Sequence, residues 1–269
     1  MGVGSYLYLL IPRWFGHNSA KYTVTAVEQH KDVAVITMHP EGKGIKHKSG
    51  QFAFVNFDAL SLKETHPYTI SSAPNSSRAL NFRVKSLGSY TKRLGKKIKP
   101  GMKARVSGPY GHFTPRQSDG TQVWVGGGIG ITPFIAWAEA LSPDWATPTH
   151  LYYCVSESGA AIYLRAFEQI AASVPNFNFT LVVSDEGTRL TADRIEFDLE
   201  GDLAQTNVYF CGPTGMRETL RHGLVAKGLG FNRFHYEEFE MRQGVGITRF
   251  MRMGWRASSL VKTRLLRAV

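Results

Sequence analysis

A glycine-rich turn between a predicted strand and a predicted helix is the strongest chemical signal in the sequence. Its residues run Val123-Trp124-Val125-Gly126-Gly127-Gly128-Ile129-Gly130-Ile131-Thr132-Pro133. Glycines let a backbone approach a diphosphate closely, and the N-terminus of the following helix offers free N–H groups and a positive dipole end. Ile131 stands where a GxGxxG spacing requires its third glycine, so the string also fits a tight strand-to-helix turn without a ligand. Both interpretations stay open at this point.

A second candidate site lies in the first half of the chain, in the string His66-Pro67-Tyr68-Thr69-Ile70-Ser71-Ser72-Ala73-Pro74. An aromatic ring and hydroxyl groups alternate along it, which suits a flat heteroaromatic ligand with hydrogen-bonding edge atoms. The alternative is an edge strand that ends in a Ser-Pro turn. The combination with the glycine-rich turn favours the ligand.

Cysteine usage excludes several kinds of site. Cys154 and Cys211 are the only cysteines, and they form no CxxC pair. This excludes a disulfide framework, a cysteine-rich zinc site and a four-cysteine iron–sulfur cluster. We therefore expect a reducing compartment, and we predict no metal ligands and no iron–sulfur cluster in this chain.

The elements that must position these residues fall into two groups. From Lys21 to Ser107 the chain has short runs of alternating polarity separated by Gly and Pro turns, a pattern typical of an antiparallel barrel or sandwich. After residue 119 strands alternate with helices, which predicts a parallel sheet covered by helices on both faces. The predicted fold class is therefore β followed by α/β: an antiparallel β-barrel and then a Rossmann-like domain.

Length and charge complete the predicted organisation. With 269 residues, 43% of them hydrophobic, two domains are expected. The net charge is +11, and residues 240–269 contribute seven basic residues against one acidic residue. The predicted segments are a stub or linker at 1–17, a barrel domain at 18–118, an α/β domain at 119–244 and a basic tail at 245–269.

Several strings, taken in order, resemble the ferredoxin–NADP reductase superfamily, and most closely the flavin-binding dehydrogenase part of NADPH oxidases and ferric reductases. Besides the glycine-rich turn they are His66-Pro67-Tyr68-Thr69, Phe82-Arg83-Val84-Lys85, Gly88-Ser89-Tyr90-Thr91, Gly108-Pro109-Tyr110-Gly111 and Cys211-Gly212-Pro213. The resemblance runs from about residue 22 to 239. It implies an FAD-binding barrel followed by an NAD(P)-binding domain, with FAD and either NADPH or NADH as cofactors.

The resemblance assigns the flavin site residue by residue. Tyr68 would pack against the flavin ring, and the Thr69 hydroxyl would approach its N5 atom. His66 stands where plant-type members use Arg for the diphosphate, and a histidine is a weaker, pH-dependent partner there. The further flavin-site candidates are Pro67, Lys85, Gly88, Ser89, Tyr90 and Thr91. For Ser89 and Thr91, ordinary helix capping is an equally good interpretation.

The resemblance also assigns the nicotinamide side. Gly127, Gly128, Gly130 and Thr132 would hold the NAD(P)H diphosphate, and the string Cys211-Gly212-Pro213 matches a loop beside the nicotinamide. Phe239 matches the aromatic residue that covers the flavin face, although a core phenylalanine is the alternative. Thr69, Cys211 and Phe239 are therefore the residues expected nearest to the reaction.

The choice between NADH and NADPH stays open. Members that prefer NADPH often place a Ser-Arg pair after the second strand to bind the 2′-phosphate. This chain has Ser156-Glu157-Ser158 there, and Glu157 would repel a phosphate and accept from a ribose hydroxyl, which favours NADH. Arg165 and Arg189 are basic residues that could compensate.

The electron acceptor must lie outside the chain. Tyr6–Ile11 is apolar and precedes the barrel, so the resemblance leads us to expect that residues 1–17 are the stub of a membrane helix. The acceptor would then be a membrane haem domain. A basic run from Lys92 to Arg105 and the tail would face anionic lipid at the cytoplasmic side of the membrane.

Two alternatives are kept. One is a cytoplasmic reductase that serves a diffusible flavodoxin, oxygenase or ferric chelate. The other is a nucleic-acid-binding protein that uses the basic tail, although no zinc-ligand, RNA-binding or helix-turn-helix pattern supports it, and we expect no nucleic acid partner.

Overall fold

The computed structural model describes residues 19–59, 62–115, 120–199 and 201–237. The expectations for the stub at 1–17, for Phe239 and for the tail at 245–269 lie outside these ranges. Within the described ranges, every helix is too short or too polar to cross a membrane. No group of three or more His, Cys, Asp or Glu side chains gathers there as metal ligands would.

The first half of the chain forms a curled antiparallel sheet of six strands in the order β4-β3-β6-β1-β2-β5. Its edge strands meet where Ile70 and Phe82 form an isolated bridge. Alternate residues such as Leu80, Phe82 and Val84 point into a buried core, as period-two patterning requires. The elements are β1 (Ser19–His30), β2 (Val33–Pro40), β3 (Phe52–Phe57), β4 (His66–Thr69), β5 (Leu80–Lys85), α1 (Ser89–Lys97) and β6 (Lys103–Tyr110).

The second half forms a parallel sheet of five strands in the order β11-β10-β7-β8-β9. Both faces are covered, so the central strand β7 is buried along its whole length. The elements are β7 (Gln122–Gly127), α2 (Thr132–Ala138), β8 (Thr149–Val155), α3 (Leu164–Ser173), β9 (Phe177–Val183), α4 (Ala192–Asp198), β10 (Asn207–Cys211), α5 (Thr214–Ala226) and β11 (Phe234–Glu237). The predicted fold class is confirmed.

The strand order reverses beside β7. The chain passes from β7 to β8 and β9 on one side and then returns to β10 and β11 on the other. In open α/β sheets such a switch point leaves a crevice at the carboxyl ends of the strands, where ligands bind. The glycine-rich turn follows β7 and therefore lies at this crevice.

Polar and charged contacts join the two sheets. Arg83 of β5 donates to the Ser71 carbonyl at 2.7 Å and lies 3.9 Å from the Glu139 carboxylate, just beyond α2. Its guanidinium is 4.6 Å from the centre of the Tyr163 ring. Glu139 also accepts from the Ala73 N–H at 3.2 Å. Arg83 thus connects the barrel half to two elements of the nucleotide half.

An aromatic contact also crosses between the halves. Phe113, which follows β6, packs with its ring centre 4.8 Å from that of Trp137 on α2. Gly50 lies so close to this pair that a Cβ atom there would be 2.0 Å from the Phe113 carbonyl oxygen. Phe113 therefore belongs to the core of the nucleotide half.

The two halves carry opposite net charge. Residues 19–115 contain sixteen Lys and Arg against five Asp and Glu, a net charge of +11. Residues 120–237 contain seven against thirteen, a net charge of −6. The basic excess outside the tail therefore lies on the barrel half.

Candidate functional site

The glycine-rich turn is packed tightly against its neighbours at three positions. A Cβ atom on Gly126 would lie 2.7 Å from Ile131 Cδ1, and one on Gly127 would lie 2.7 Å from Pro213 Cδ. A Cβ atom on Gly130 would lie 2.2 Å from the Cys211 carbonyl oxygen. The turn and the Cys211–Pro213 string are therefore in contact.

Gly128 differs from these three glycines. Its φ is +56°, a left-handed conformation that favours glycine, and among the described residues a Cβ atom there would meet nothing within 4 Å. Open space therefore borders the turn at Gly128. Thr132, by contrast, is buried and donates its hydroxyl proton to the Ile129 carbonyl at 2.6 Å, so this hydroxyl stabilises the turn itself.

Cys211 lies at the carboxyl end of β10, level with Gly126 on one side and Glu237 on the other. Its thiol is buried, and burial raises its pKa far above the ordinary value, so it stays protonated. Cys211 is thus a neutral side chain at the end of β10.

Glu237 is a residue that the sequence analysis did not single out. Burial raises the pKa of its carboxyl from 4.5 to about 8, and its Oε2 atom has no hydrogen-bond partner among the described residues. It stands two positions before Phe239, which alone drew attention in that string. In the sequence, the only signal for Glu237 was an acidic residue at the end of a predicted strand. Its place next to the buried Cys211 is visible only in the structure.

The predicted flavin-site strand is β4. Tyr68 and Thr69 are buried, and Tyr68 meets the Phe82 ring edge-on with 6.3 Å between ring centres. The Tyr68 hydroxyl has no hydrogen-bond partner among the described residues, and burial raises its pKa well above the ordinary value. Pro67 pairs with Phe54 of β3 in the sheet register.

His66 and Tyr90 pack together and join β4 to α1. Their ring centres are 3.9 Å apart, and His66 Nε2 lies 3.2 Å from Glu64 Oε2. The Tyr90 hydroxyl donates towards the Leu62 and Glu64 carbonyls at 3.2 and 3.3 Å. Both predicted site residues therefore also hold the loop between β3 and β4.

The start of α1 combines a helix cap with accessible groups. The Thr91 hydroxyl accepts from the Gly88 N–H at 2.9 Å and donates to the Gly88 carbonyl at 3.1 Å, so the capping interpretation applies to it. Ser89 is exposed. Lys85, the last residue of β5, places its Nζ atom 3.5 Å from Asp32 Oδ2.

These observations fit two bound dinucleotides. The unpartnered Tyr68 hydroxyl is a buried polar group that a flavin could satisfy, since such groups are costly when left unpaired. At Gly128, close to the start of α2, no described side chain blocks the backbone, so a diphosphate can approach it there. The residues present therefore suit FAD on the barrel half and NAD(P)H at the crevice of the parallel sheet.

A curled antiparallel sheet with a buried aromatic strand, followed by a parallel sheet with a glycine-rich turn at its switch point, defines the class of two-domain FAD- and NAD(P)H-binding reductases. Family models agree: residues 17–115 match an FAD-binding domain and residues 124–222 an oxidoreductase NAD-binding domain. Together these matches span well over half of the chain. The chain belongs to the ferredoxin–NADP reductase superfamily.

Two curated relatives are named as components of a demethylase and of a dioxygenase. The chain is 27% identical over 217 residues to the stachydrine N-demethylase reductase subunit of Rhizobium meliloti, covering 76% of this chain and 62% of the relative. It is 27% identical over 195 residues to the toluate 1,2-dioxygenase electron transfer component of Pseudomonas putida, covering 69% and 57%. The chain thus spans about three fifths of the length of these relatives.

Solved structures agree on the fold. The FAD/NAD-binding domain of a nitric oxide dioxygenase from Vibrio cholerae superposes with a TM-score of 0.73 at 20% identity, covering 83% of this chain and 99% of that one. A ferredoxin–NADP+ reductase from Neisseria gonorrhoeae gives 0.70 at 16% identity, covering 82% and 98%. At these identities the likeness concerns the fold alone.

Proposed function

We propose that the chain is the reductase component of an electron-transfer system, taking electrons from NAD(P)H and delivering them to a separate, diffusible acceptor protein. FAD, when bound, supplies the redox chemistry, because it accepts a hydride and releases electrons singly. The observation that carries the proposal is the contact between the glycine-rich turn after β7 and the Cys211–Pro213 string after β10, at the switch point of the parallel sheet.

The residues of the barrel half bind and orient the flavin in this proposal. Tyr68 packs on the ring, and its hydroxyl gains the hydrogen-bond partner that it lacks among the described residues. Thr69 lies next to the reacting edge. Lys85, with the first N–H groups of α1 from Ser89 onward, faces the flavin diphosphate.

The residues of the parallel sheet hold the nicotinamide nucleotide. The backbone around Gly128 binds its diphosphate, while Gly127 and Gly130 keep the turn pressed against Cys211 and Pro213. Cys211 would border the nicotinamide as a neutral thiol. The hydride step needs no protein acid or base, so orientation and exclusion of water are the contributions of these residues.

The diffusible acceptor is favoured over a membrane haem domain by the relatives. Those reported above are named as a reductase subunit and an electron transfer component of oxidative enzyme systems. Neither name mentions a ferric reductase or an NADPH oxidase. The stub expected at residues 1–17, on which the membrane hypothesis depends, lies outside the described residues.

The test begins with flavin reduction. The full chain is mixed with FAD, freed of excess flavin and treated with NADH or NADPH without oxygen. We expect a retained flavin spectrum that bleaches, followed by reduction of two ferricyanide ions per nucleotide oxidised. Absence of retained flavin together with absence of turnover in excess FAD would overturn the proposal.

Vesicle binding distinguishes the two acceptor hypotheses. Flotation of the full chain with phosphatidylcholine vesicles and with vesicles rich in phosphatidylglycerol measures attachment to neutral and anionic surfaces. A diffusible reductase stays unbound at physiological salt, and its ferricyanide reduction is unchanged by either vesicle. Tight binding that accelerates turnover would favour the membrane hypothesis.

A further inference from the structure

The turn between β1 and β2 reaches from the barrel half to the nucleotide half. Lys31, in this turn, places its ammonium 2.9 Å from the Glu157 carboxylate. A Cβ atom on Gly159 would also lie 2.9 Å from Lys31 Nζ, so the ammonium sits directly over the loop that follows β8. Lys31 and Glu157 are 126 residues apart in sequence.

The loop after β8 has a defined place relative to the proposed nucleotide site. β8 is the parallel neighbour of β7, which carries the glycine-rich turn at its carboxyl end. In dinucleotide-binding sheets, the residue after the second strand meets the 2′ position of the adenosine ribose. Glu157 occupies that position here, two residues after the end of β8, and Lys31 is beside it.

The backbone of the turn holds Lys31 in place. Its φ is +46°, a left-handed backbone conformation that residues other than glycine, asparagine and aspartate rarely adopt. The neighbouring Asp32 accepts from the Ser86 N–H through its carbonyl at 2.7 Å, and its carboxylate lies 3.5 Å from Lys85. The turn is therefore anchored to β5 and its following loop while Lys31 extends towards Glu157.

The chemistry of the pair suits either form of the nucleotide. A carboxylate accepts a hydrogen bond from the 2′-hydroxyl of NADH and repels the 2′-phosphate of NADPH, whereas an ammonium attracts that phosphate. The side chains of Lys31 and Glu157 are 54% and 56% exposed, and an ion pair at such exposure contributes little stability. The ammonium can therefore exchange the carboxylate for a phosphate at small cost.

We propose that Lys31 is a specificity-determining residue contributed by the flavin half, which pairs with Glu157 when NADH is bound and binds the 2′-phosphate when NADPH is bound. This inference rests on the proposed function. It bears on the choice left open by Ser156-Glu157-Ser158, because it places a cation from the other half of the chain beside Glu157.

The test measures binding of two adenosine fragments to the full FAD-loaded chain by titration calorimetry. The fragments are 5′-AMP and 2′,5′-ADP, which differ only in the 2′-phosphate. Lys31→Asn removes the ammonium with a residue that tolerates positive φ. We expect it to weaken 2′,5′-ADP binding about tenfold and to change 5′-AMP binding less than about twofold, the size of one charge-assisted hydrogen bond.

Two further variants sharpen the test. Glu157→Gln should strengthen 2′,5′-ADP binding relative to 5′-AMP, because the phosphate no longer meets a carboxylate. Lys103→Asn removes an equal charge from an ion pair with Glu41 inside the barrel half and should leave the ratio of the two affinities unchanged.

The outcomes separate this inference from the proposed function. If Lys31→Asn changes the ratio no more than Lys103→Asn does, while NADH still bleaches the flavin, the inference is wrong and the proposed function stands. If the wild-type chain binds neither fragment and no flavin is reduced, the proposed function fails and the inference fails with it.

Discussion

Two buried polar atoms near the proposed reaction centre lack partners among the described residues: Tyr68 Oη on the barrel half and Glu237 Oε2 at the end of the parallel sheet. A buried unpaired group costs free energy, so each such atom needs a reason to persist. Tyr68 lies in the strand that we propose to face the flavin, and Glu237 lies beside Cys211 at the end of the parallel sheet. We make a separate prediction for each of these two side chains.

Glu237 should make stability depend on pH. Its pKa of about 8 in the folded chain exceeds the ordinary 4.5, so the folded state binds the proton more tightly than the unfolded state. The stabilisation is complete below about pH 4.5 and is lost as pH rises towards 8. We expect Glu237→Gln to be more stable than the wild type at pH 9, relative to pH 5, by at least about 1.4 kcal/mol.

Urea unfolding of the flavin-free chain at both pH values measures this difference. The exposed Glu168→Gln on α3 is the matched control and should show no such change. Parallel pH profiles for the wild type and Glu237→Gln would contradict the assignment of a buried, protonated carboxyl.

Tyr68→Phe should separate folding from flavin binding. Removal of an unpartnered buried hydroxyl should not lower the stability of the flavin-free chain. If the hydroxyl binds FAD, the variant should bind the flavin about threefold to tenfold more weakly, the effect of one hydrogen bond. Fluorescence titration with FAD gives the affinity; equal affinities would mean that the hydroxyl does not touch the flavin.

At the residue scale, the sequence proposed candidate site residues, but it could not show which contacts each side chain makes. Tyr68 and Cys211 could be singled out because they belong to strings with recognisable order. Thr91 and Thr132 were equally conspicuous, yet their hydroxyls stabilise the local backbone, which depends on dihedral angles that no spacing reveals. Glu237 was missed because its raised pKa arises from burial, which depends on the three-dimensional structure.

At the scale of elements, the glycine-rich turn divides into glycines required by packing and one required by backbone conformation. Gly127 and Gly130 face backbone or ring atoms that cannot easily move, whereas a Cβ atom on Gly128 would meet no described atom within 4 Å. The sequence treated these glycines alike. The helix that follows, α2, begins directly after the turn at Thr132, because Pro133 suits a first helical turn.

Alanine substitutions should distinguish the glycine that packing requires from the glycine that its backbone conformation requires. Gly130→Ala forces a methyl group onto the Cys211 carbonyl and should cost at least about 2 kcal/mol of stability. Gly128→Ala should cost about 1–2 kcal/mol, because its φ of +56° is left-handed. It should also weaken NADH binding, since the methyl group enters the space proposed for the diphosphate.

Denaturant unfolding and NADH titration of each variant provide the two measurements. Gly215→Ala, early in α5, has no described atom within 4 Å of the added Cβ and should be neutral or slightly stabilising. If Gly128→Ala binds NADH as tightly as the wild type does, the diphosphate of NADH must bind elsewhere.

At the scale of the whole molecule, Arg83 makes the two halves depend on each other. Its side chain is only 9% exposed, and its replacement by Met leaves the Glu139 carboxylate and the Ser71 carbonyl without their cation or donor. We expect Arg83→Met to cost roughly 2–3 kcal/mol. It should also broaden or split the single calorimetric unfolding transition that a coupled pair of domains gives.

Arg105→Met is the matched control, because this arginine lies exposed in β6 of the same sheet. It should change stability by less than about 0.5 kcal/mol. Equal effects of the two substitutions would show that Arg83 does not couple the halves.

The sequence could establish that there are two sheets, because hydrophobic periodicity is a local property. It could not establish how they meet. Arg83 and Glu139, or Lys31 and Glu157, are far apart in the chain and each reads as an ordinary surface charge. Their pairing follows only from the three-dimensional arrangement of β5, α2 and the turn between β1 and β2.

Phe113 has a practical consequence for anyone who divides the chain into fragments. A cut at the predicted domain boundary, after residue 118, leaves this ring on the N-terminal fragment. The rings that pack against it, those of Phe134, Trp137 and Tyr209, go to the C-terminal fragment. One fragment would then expose an aromatic side chain, and the other would contain a cavity where that side chain belongs. Co-expression of both fragments is therefore the sounder route to either half.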